Sequence, residues 1–126
     1  MEYYTLVQEM INEIPEFKRI YIEKSSENLI NESTGAHAVI GTLLMPYVSK
    51  LLLTNQNNDN LELLERIFIF FERMAQCNDE KVREILLYTV LEMLGDDEDV
   101  YKNALELMQS STKQMSNMIE VFLGRA

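Results

Sequence analysis

The stretch LELLERIFIFFERMA, residues 61–75, decides the fold, because its apolar residues recur at helical spacing on two adjacent stripes. One stripe consists of Leu61, Leu64, Phe68, Phe71 and Ala75, and the other of Leu63, Ile67, Phe70 and Met74. An apolar face of this width can contact two neighbouring helices at once. The stretch therefore predicts a long helix inside a core made of several helices.

Helical spacing of apolar residues continues on both sides of this stretch. It predicts helices at about residues 2–13, from Pro15 onward, and at about 36–54, 60–76, 79–94, 97–109 and 112–123. The helix at 36–54 is apolar on most sides and is interpreted as the central, most buried element. Pro46 is expected to kink or split it, since the proline ring removes a backbone hydrogen bond.

The predicted fold is all-α, with five to seven antiparallel helices in a single domain spanning residues 1–126. Two stacked helical hairpins of the HEAT or armadillo type fit the pattern, and so does a compact irregular bundle. The polar stretches SSENLINEST, residues 25–34, and TNQNNDN, residues 54–60, are interpreted as connections. Expected N-caps are Thr34, Asn58 or Asp59, Asn78 or Asp79, and Asp96 or Asp97.

Net charge is −10, which argues against nucleic acid as a partner, because binding to phosphate depends on Lys and Arg. Residues 1–33 carry seven acids against three bases, and residues 96–110 carry five against one. The excess charge is therefore concentrated in two segments. A basic protein is the better candidate partner, although most acidic faces of helical proteins are only solvated.

The acidic run DDED, residues 96–99, raises the question of a metal site. An EF-hand loop needs alternating ligands, a glycine at the sixth position and a glutamate at the twelfth, and this run has neither. We interpret the run as local helix chemistry: Gly95 ends one helix in a left-handed turn, and the acids cap the next helix and fill its first turn. No metal site and no cofactor is predicted.

No catalytic group is designated by the sequence, and an enzyme is the least favoured of the functions considered. His37 is the only histidine and has no identifiable nucleophile or acid beside it. Cys77 is the only cysteine, so no intramolecular disulfide forms within the chain. No signal peptide and no membrane-spanning stretch is recognised, and the expected location is the cytoplasm.

For two sets of side chains, the sequence fits both packing in the core and binding to a partner at the surface. Met115, Met118, Ile119 and Phe122 are expected to point inward from the last helix, but they could instead line a surface for a partner. Tyr3, Tyr4, Tyr21 and Tyr47 add the amphipathic surface that interfaces favour. The sequence does not separate the two roles.

Three stretches together resemble one family of proteins. They are IPEFKRIY at 14–21, GAHAVIGTLLMPYV at 35–48 and FFERMAQCNDEKVREILLYTVLEMLGDDEDVYKNALELM at 70–108. The family consists of small acidic bacterial proteins that occur near toxin genes and look like immunity proteins of polymorphic-toxin or contact-dependent inhibition systems. The shared motifs concern packing and capping, so no functional residues are carried over with them.

The resemblance implies a protein-binding module that neutralises a cognate toxin domain, which would be basic and could be a nuclease. An acidic surface would speed the encounter and compete with the phosphate backbone for the toxin's cleft. The residues expected to face the partner are Asp79, Glu80, Glu98, Asp99, Glu9, Glu13 and Glu16. The alternative is a helical interaction scaffold, or a self-associating protein, unrelated to toxins.

Overall fold

The computed structural model describes residues 1–54 and 57–126, and within them the regular elements are all helical. The helices are α1 (Leu6–Glu13), α2 (Pro15–Lys24), α3 (Ala36–Leu53), α4 (Asn58–Ala75), α5 (residues 80–94), α6 (Glu98–Leu107) and α7 (Ser110–Phe122), preceded by a 3₁₀ turn at Tyr3–Thr5. The prediction of an all-α domain with five to seven helices is confirmed.

Helix α4 is the element around which the others pack. It contacts α1, α3, α5, α6 and α7, and it reaches α2 through an ion pair between Arg66 and Glu16. Its buried apolar side chains are Leu63, Leu64, Ile67, Phe68, Phe70, Phe71 and Met74. In a solenoid each repeat contacts only its neighbours, whereas here one helix contacts all six others, as in a compact bundle. Half of α3, the helix interpreted as central, is buried.

Several helix starts are set by side-chain caps. Asp79 accepts a hydrogen bond from the Lys81 amide, and Asp97 accepts from the amides of Asp99 and Val100, as predicted for these two caps. Asn57 caps α4 by accepting from the Asn60 amide, one residue before the predicted position at Asn58 or Asp59. Of the predicted connection at 54–60, residues 55 and 56 lie outside the described part of the chain.

The predicted cap at Thr34 is wrong. Its hydroxyl oxygen accepts a hydrogen bond from the Asn31 amide, which closes a turn in the preceding loop. The residue at the cap position of α3 is Gly35, which offers no side-chain hydrogen bond. Thr34 is thus used by the local turn, because a hydroxyl can serve either a loop or a helix end.

Pro46 does not split α3, which runs on from Ala36 to Leu53. A π-helical segment, Ile40–Leu44, ends two residues before the proline, and α-helical geometry resumes at Met45. A wider π turn changes which carbonyl each amide faces, and therefore accommodates a residue that has no amide hydrogen. A second π-helical segment, Leu86–Leu91, lies in α5.

Gly95 does not form the predicted left-handed turn, since its φ is −79°. Two side chains lie close to this glycine instead. A Cβ at this position would lie 2.5 Å from Nη2 of Arg125 and 2.7 Å from Oε2 of Glu120. An ion pair of the C-terminal segment thus lies against the Gly95 backbone, and a larger residue here would have to displace the ends of these two side chains.

That ion pair is formed because the chain reverses at Gly124, whose φ is +72°. The Gly124 amide donates to the Val121 carbonyl, and the Arg125 amide donates to the Glu120 carbonyl, which is the hydrogen-bond pattern of a Schellman turn. The reversal brings the Arg125 guanidinium to the Glu120 carboxylate, to Asp96 at 2.7 Å and to the Glu92 carbonyl at 3.1 Å. Asp96 therefore pairs with the C-terminal segment.

Glu72, on α4, is buried at 7% exposure and caps α7 from outside. Its carboxylate accepts hydrogen bonds from the Thr112 amide and hydroxyl, both at 2.8 Å, and from the Ser111 amide at 3.1 Å. Burial alone would raise the pKa of Glu72, but these hydrogen bonds outweigh burial and hold the pKa below its ordinary value. The charged form therefore joins α7 to α4.

We expect Glu72→Gln to lower the free energy of unfolding at pH 7 by about 1–3 kcal/mol, because charge-assisted hydrogen bonds to a helix N-terminus are lost. The contribution of Glu72 is fully present above the ordinary carboxyl pKa of 4.5 and is lost as the pH falls through the lowered folded-state pKa. Urea unfolding of both proteins at a series of pH values between neutral and acid measures both effects.

The matched control is Glu65→Gln, an exposed carboxylate on the same helix. It removes the same charge and is expected to leave the stability within about 0.5 kcal/mol of the parent. Equal unfolding free energies for the two variants at every pH would show that Glu72 does not hold α7 through its charge.

Candidate functional site

An open cleft of about 1160 Å³ lies on one side of the described structure. It lies between the N-terminal segment, the loop at residues 31–35 and one face of α5. We call it the tyrosine cleft, after the residues that carry its chemistry: Tyr3, Tyr4, Tyr21, Tyr88, His37 and Lys81. It brings together the only histidine of the sequence and four of its six tyrosines.

The N-terminal wall of the tyrosine cleft is held by Asp79. One carboxylate oxygen of Asp79 caps α5, and the other accepts a hydrogen bond from the Tyr3 amide at 2.8 Å. The bond from Tyr3 is the main reason why the pKa of Asp79 lies below its ordinary value. The Cys77 thiol donates to the Met1 carbonyl at 3.0 Å, which fixes the same segment at a second point.

Two tyrosine rings of this wall lie near a positively charged side chain. The rings of Tyr3 and Tyr4 meet edge to face, with their centroids 5.1 Å apart. The Lys81 ammonium lies 5.5 Å from the Tyr3 centroid and 5.6 Å from the Tyr4 centroid. These distances are within the range of cation–π attraction. Among the described residues Lys81 forms no direct ion pair, and its charge interacts with the two aromatic rings and, at longer range, with the Asp79 carboxylate.

Beside the cleft, the π-helical segments of α3 and α5 pack against each other. Their contact is close, since a Cβ on Gly41 would lie 3.2 Å from Cγ2 of Thr89. Thr89 and its neighbour Tyr88 both line the tyrosine cleft. π-Helical turns occur frequently at functional sites. Here the turn in α5 belongs to the cleft wall.

A second, apolar cavity of about 510 Å³ lies beside the first, between α5 and α7. We call it the C-terminal groove; it is lined by Leu87, Tyr88, Asn117, Met118, Ile119, Val121 and Phe122. Tyr88, at 53% exposure, lines both cavities. The tyrosine cleft and the C-terminal groove therefore form one continuous surface.

The inward orientation expected for Met118 and Phe122 of α7 is wrong, since both line the C-terminal groove. Ile119 is buried and Met115 half-buried, but Met118 is 61% and Phe122 is 77% exposed, so these two do not point inward. The buried face of α7 consists of Thr112, Ser116, Ile119 and Glu120. The helix is rotated this way because its polar contacts with Glu72 and Arg125 fix both ends. Met118 and Phe122 are thus exposed to solvent.

The acids expected to face a partner fall into two groups. Glu16 is bound by Arg66 at 3.0 and 2.6 Å, and that hydrogen-bonded pair lowers the pKa of Glu16. Glu13 pairs with Arg73, and Glu9 lies 4.0 Å from the N-terminal ammonium. Glu13, Glu16 and Asp79 thus hold the N-terminal segment and helices to the rest of the fold, whereas the contact of Glu9 lies within the N-terminal segment.

Glu80, Glu98 and Asp99 form the second group. Their side chains are exposed, and they make no hydrogen bond or ion pair with any residue in 1–54 or 57–126. They are therefore the members of the predicted set whose charge is available to a partner. Glu80 lies at the start of α5, and Glu98 and Asp99 lie at the start of α6.

Within the described residues no group of three or more His, Cys, Asp or Glu side chains is arranged to hold a metal ion. One helix, Ala36–Leu53, is long and apolar enough to cross a membrane by length and composition. Half of that segment is buried inside the protein, and the core helix of a soluble protein passes the same test.

The sequence matches a family model described as "Domain of unknown function (DUF7674)" over residues 7–124. The chain belongs to this family. The match runs from α1 to the Schellman turn at Gly124, so it includes most of the tyrosine cleft and the whole C-terminal groove. The chain matches no curated protein and no solved structure.

From the sequence, Tyr3, Tyr4 and Tyr21 stayed open between packing and binding, and Tyr88, the residue shared by the two cavities, was not singled out. A signal was present: in α5 the residues Ile85, Leu86 and Val90 carry the apolar stripe, which leaves position 88 on the outer face. An aromatic residue at an outward position of a helix is a candidate for binding.

We expect Asp79→Asn to release the N-terminal wall of the tyrosine cleft while α5 keeps its cap. Asparagine caps helices as well as aspartate does, but its amide nitrogen would face the Tyr3 amide, and two donors cannot pair. Hydrogen exchange measured by NMR should show the Tyr3 amide losing its protection. The control Glu80→Gln, an exposed neighbour, should leave that protection unchanged; a protected Tyr3 amide in Asp79→Asn would contradict the role of Asp79.

Proposed function

We propose that this chain is a protein-binding module whose partner docks on the continuous surface formed by the tyrosine cleft and the C-terminal groove. The observation that carries the proposal is the exposure of Tyr88, Met118 and Phe122 side by side on that surface. Contiguous exposed apolar side chains mark interaction sites in soluble proteins. Tyrosine is also enriched among the residues that contribute most to binding energy.

The charge of the chain supports a basic partner. The net charge is −10, and Glu80, Glu98 and Asp99 are exposed and unpaired among the described residues. Exposed charges at the rim of an interface accelerate encounter with an oppositely charged protein. The apolar groove would then supply contact energy after the encounter.

The most specific form of the proposal is an immunity protein that neutralises a cognate toxin domain in the cytoplasm. It is supported by the resemblance to acidic proteins found near toxin genes and by the available acids. A toxin that is a nuclease has a basic substrate cleft, for which acidic side chains compete with phosphate. The competing form is a scaffold without a toxin, which the apolar C-terminal groove also supports, because a second copy could cover it.

We expect Phe122→Ala combined with Met118→Ala to weaken binding to a cognate toxin domain by tenfold or more, since exposed aromatic and thioether contacts are lost at the docking surface. Isothermal titration calorimetry measures the effect. The control Ile22→Ala removes an equally exposed apolar side chain from α2 and should leave affinity unchanged.

Two results would count against this use of the groove. If both variants bind the toxin domain as the parent does, the groove is not the docking surface. If instead the parent sediments as a dimer and only the groove variant is a monomer, the groove joins two copies of this chain.

We expect Glu98→Lys with Asp99→Lys to slow association with a basic toxin domain about tenfold and to weaken the salt dependence of the association rate, because rim charges act mainly on the rate of encounter. Stopped-flow mixing at several salt concentrations measures both. The control is Glu65→Lys with Glu62→Lys, the same charge change on α4.

Co-expression of this chain with the C-terminal domain of the adjacent reading frame, in a growth assay followed by pull-down, decides the immunity form. Protection together with complex formation supports it. If that domain is toxic and the chain neither protects cells nor binds it, the immunity proposal is wrong and the scaffold form replaces it.

A further inference from the structure

We infer that the tyrosine cleft binds a lysine or arginine side chain of the partner at the place that Lys81 occupies in the free protein. Lys81 would then act as an internal competitor that moves away when the partner docks. The inference rests on the proposed protein-binding function and names the partner chemistry that the cleft recognises.

The first support is that the site already holds a cation. The Lys81 ammonium lies near two aromatic rings at once, 5.5 Å from the Tyr3 centroid and 5.6 Å from the Tyr4 centroid. Tyr4 is 85% exposed, so one face of this arrangement is open to solvent. A cation–π contact at an exposed site is weak enough to be exchanged for another cation.

The second support is that the rings are held in place independently of Lys81. The Tyr3 amide is fixed to Asp79, and the Tyr3 and Tyr4 rings support each other edge to face. The Tyr3 hydroxyl also lies close to Gly35, since a Cβ on that glycine would be 3.0 Å from it. The rings should therefore keep their geometry when Lys81 leaves, and the site is preorganised for a second cation.

The third support is the charge around the cleft. Glu32 and Glu84 both line it, and neither forms an ion pair with Lys81. Both carboxylates line the same cleft as the rings, and Asp79 already interacts with the Lys81 charge, so the negative charge around the cleft favours an incoming cation. Arginine suits such a site well, because its planar guanidinium stacks on aromatic faces and is less strongly hydrated than an ammonium group.

The C-terminal groove explains how a partner displaces Lys81, a side chain of the protein itself. Tyr88 joins the groove to the cleft, so a segment with an apolar residue in the groove would hold its basic residue at the cleft at high effective concentration. The cleft volume of about 1160 Å³ exceeds the range of about 300–1000 Å³ usual for small ligands, which favours a peptide segment as its occupant.

The test uses the full chain and two capped heptapeptides, one with two arginines flanking a leucine and one with two glutamates in their place. NMR titration follows the ring signals of Tyr3 and Tyr4. Lys81→Gln removes the competitor and should bind the arginine peptide about 2- to 5-fold more tightly, the factor that corresponds to an exposed cation–π contact. Tyr4→Leu should weaken binding.

The control is Lys102→Gln on α6, an exposed lysine with no hydrogen bond or ion pair to any described residue. It changes the net charge as Lys81→Gln does, so a difference between the two isolates the local contact from the overall charge. Tighter binding by Lys81→Gln than by Lys102→Gln, with preference for the arginine peptide, supports the inference.

Three outcomes would overturn it: equal or weaker binding by Lys81→Gln, equal binding of the glutamate peptide, or no ring shifts with the arginine peptide at millimolar concentration. These are distinct from a failure of the proposed function. If the groove variants lose the toxin domain while Lys81→Gln has no effect, the protein-binding function stands and the cation site is wrong.

Discussion

The burial of two adjacent faces of α4 is the constraint on which the rest of the structure depends. Its leucines and phenylalanines reach five helices directly, and Arg66 reaches the sixth through Glu16. Burial of a Leu, Ile, Phe or Met side chain is worth about 1.5–3 kcal/mol, so the seven such residues buried on this one helix contribute substantially to the stability of the chain. The same helix also carries Glu72, which fixes α7.

Polar contacts between distant parts of the sequence then position the binding surface. Asp79 holds the N-terminal segment against α5, and Arg125 holds the C-terminal segment against the turn before α6. Each contact joins a chain terminus to an end of α5. As a result the tyrosine cleft and the C-terminal groove lie on neighbouring faces of that helix, with Tyr88 between them.

The acids of this chain serve two purposes. Glu13, Glu16, Glu72, Asp79, Asp96 and Glu120 are bound by basic or amide groups inside the fold. Others, such as Glu98 and Asp99, are exposed and give the surface its negative field. The number of acidic residues therefore overstates how many carboxylates are available to a partner. The distinction matters for binding, since only unpaired acids attract a basic protein at a distance.

The sequence by itself determined the helices and narrowed the caps of α5 and α6 to two adjacent residues each, because helical spacing and capping depend on residues within one turn of each other. Only the tertiary structure decided which face of α7 is buried. Met118, Ile119 and Phe122 share similar hydrophobicity, but the rotation of α7 is set by Glu72, forty residues before Thr112, and by Arg125 beyond its end. The role of Gly95 has the same origin, since Arg125 reaches it only through the fold. Contacts of such sequence separation leave no periodic signal, and for that reason the exposed groove could not be read from spacing alone.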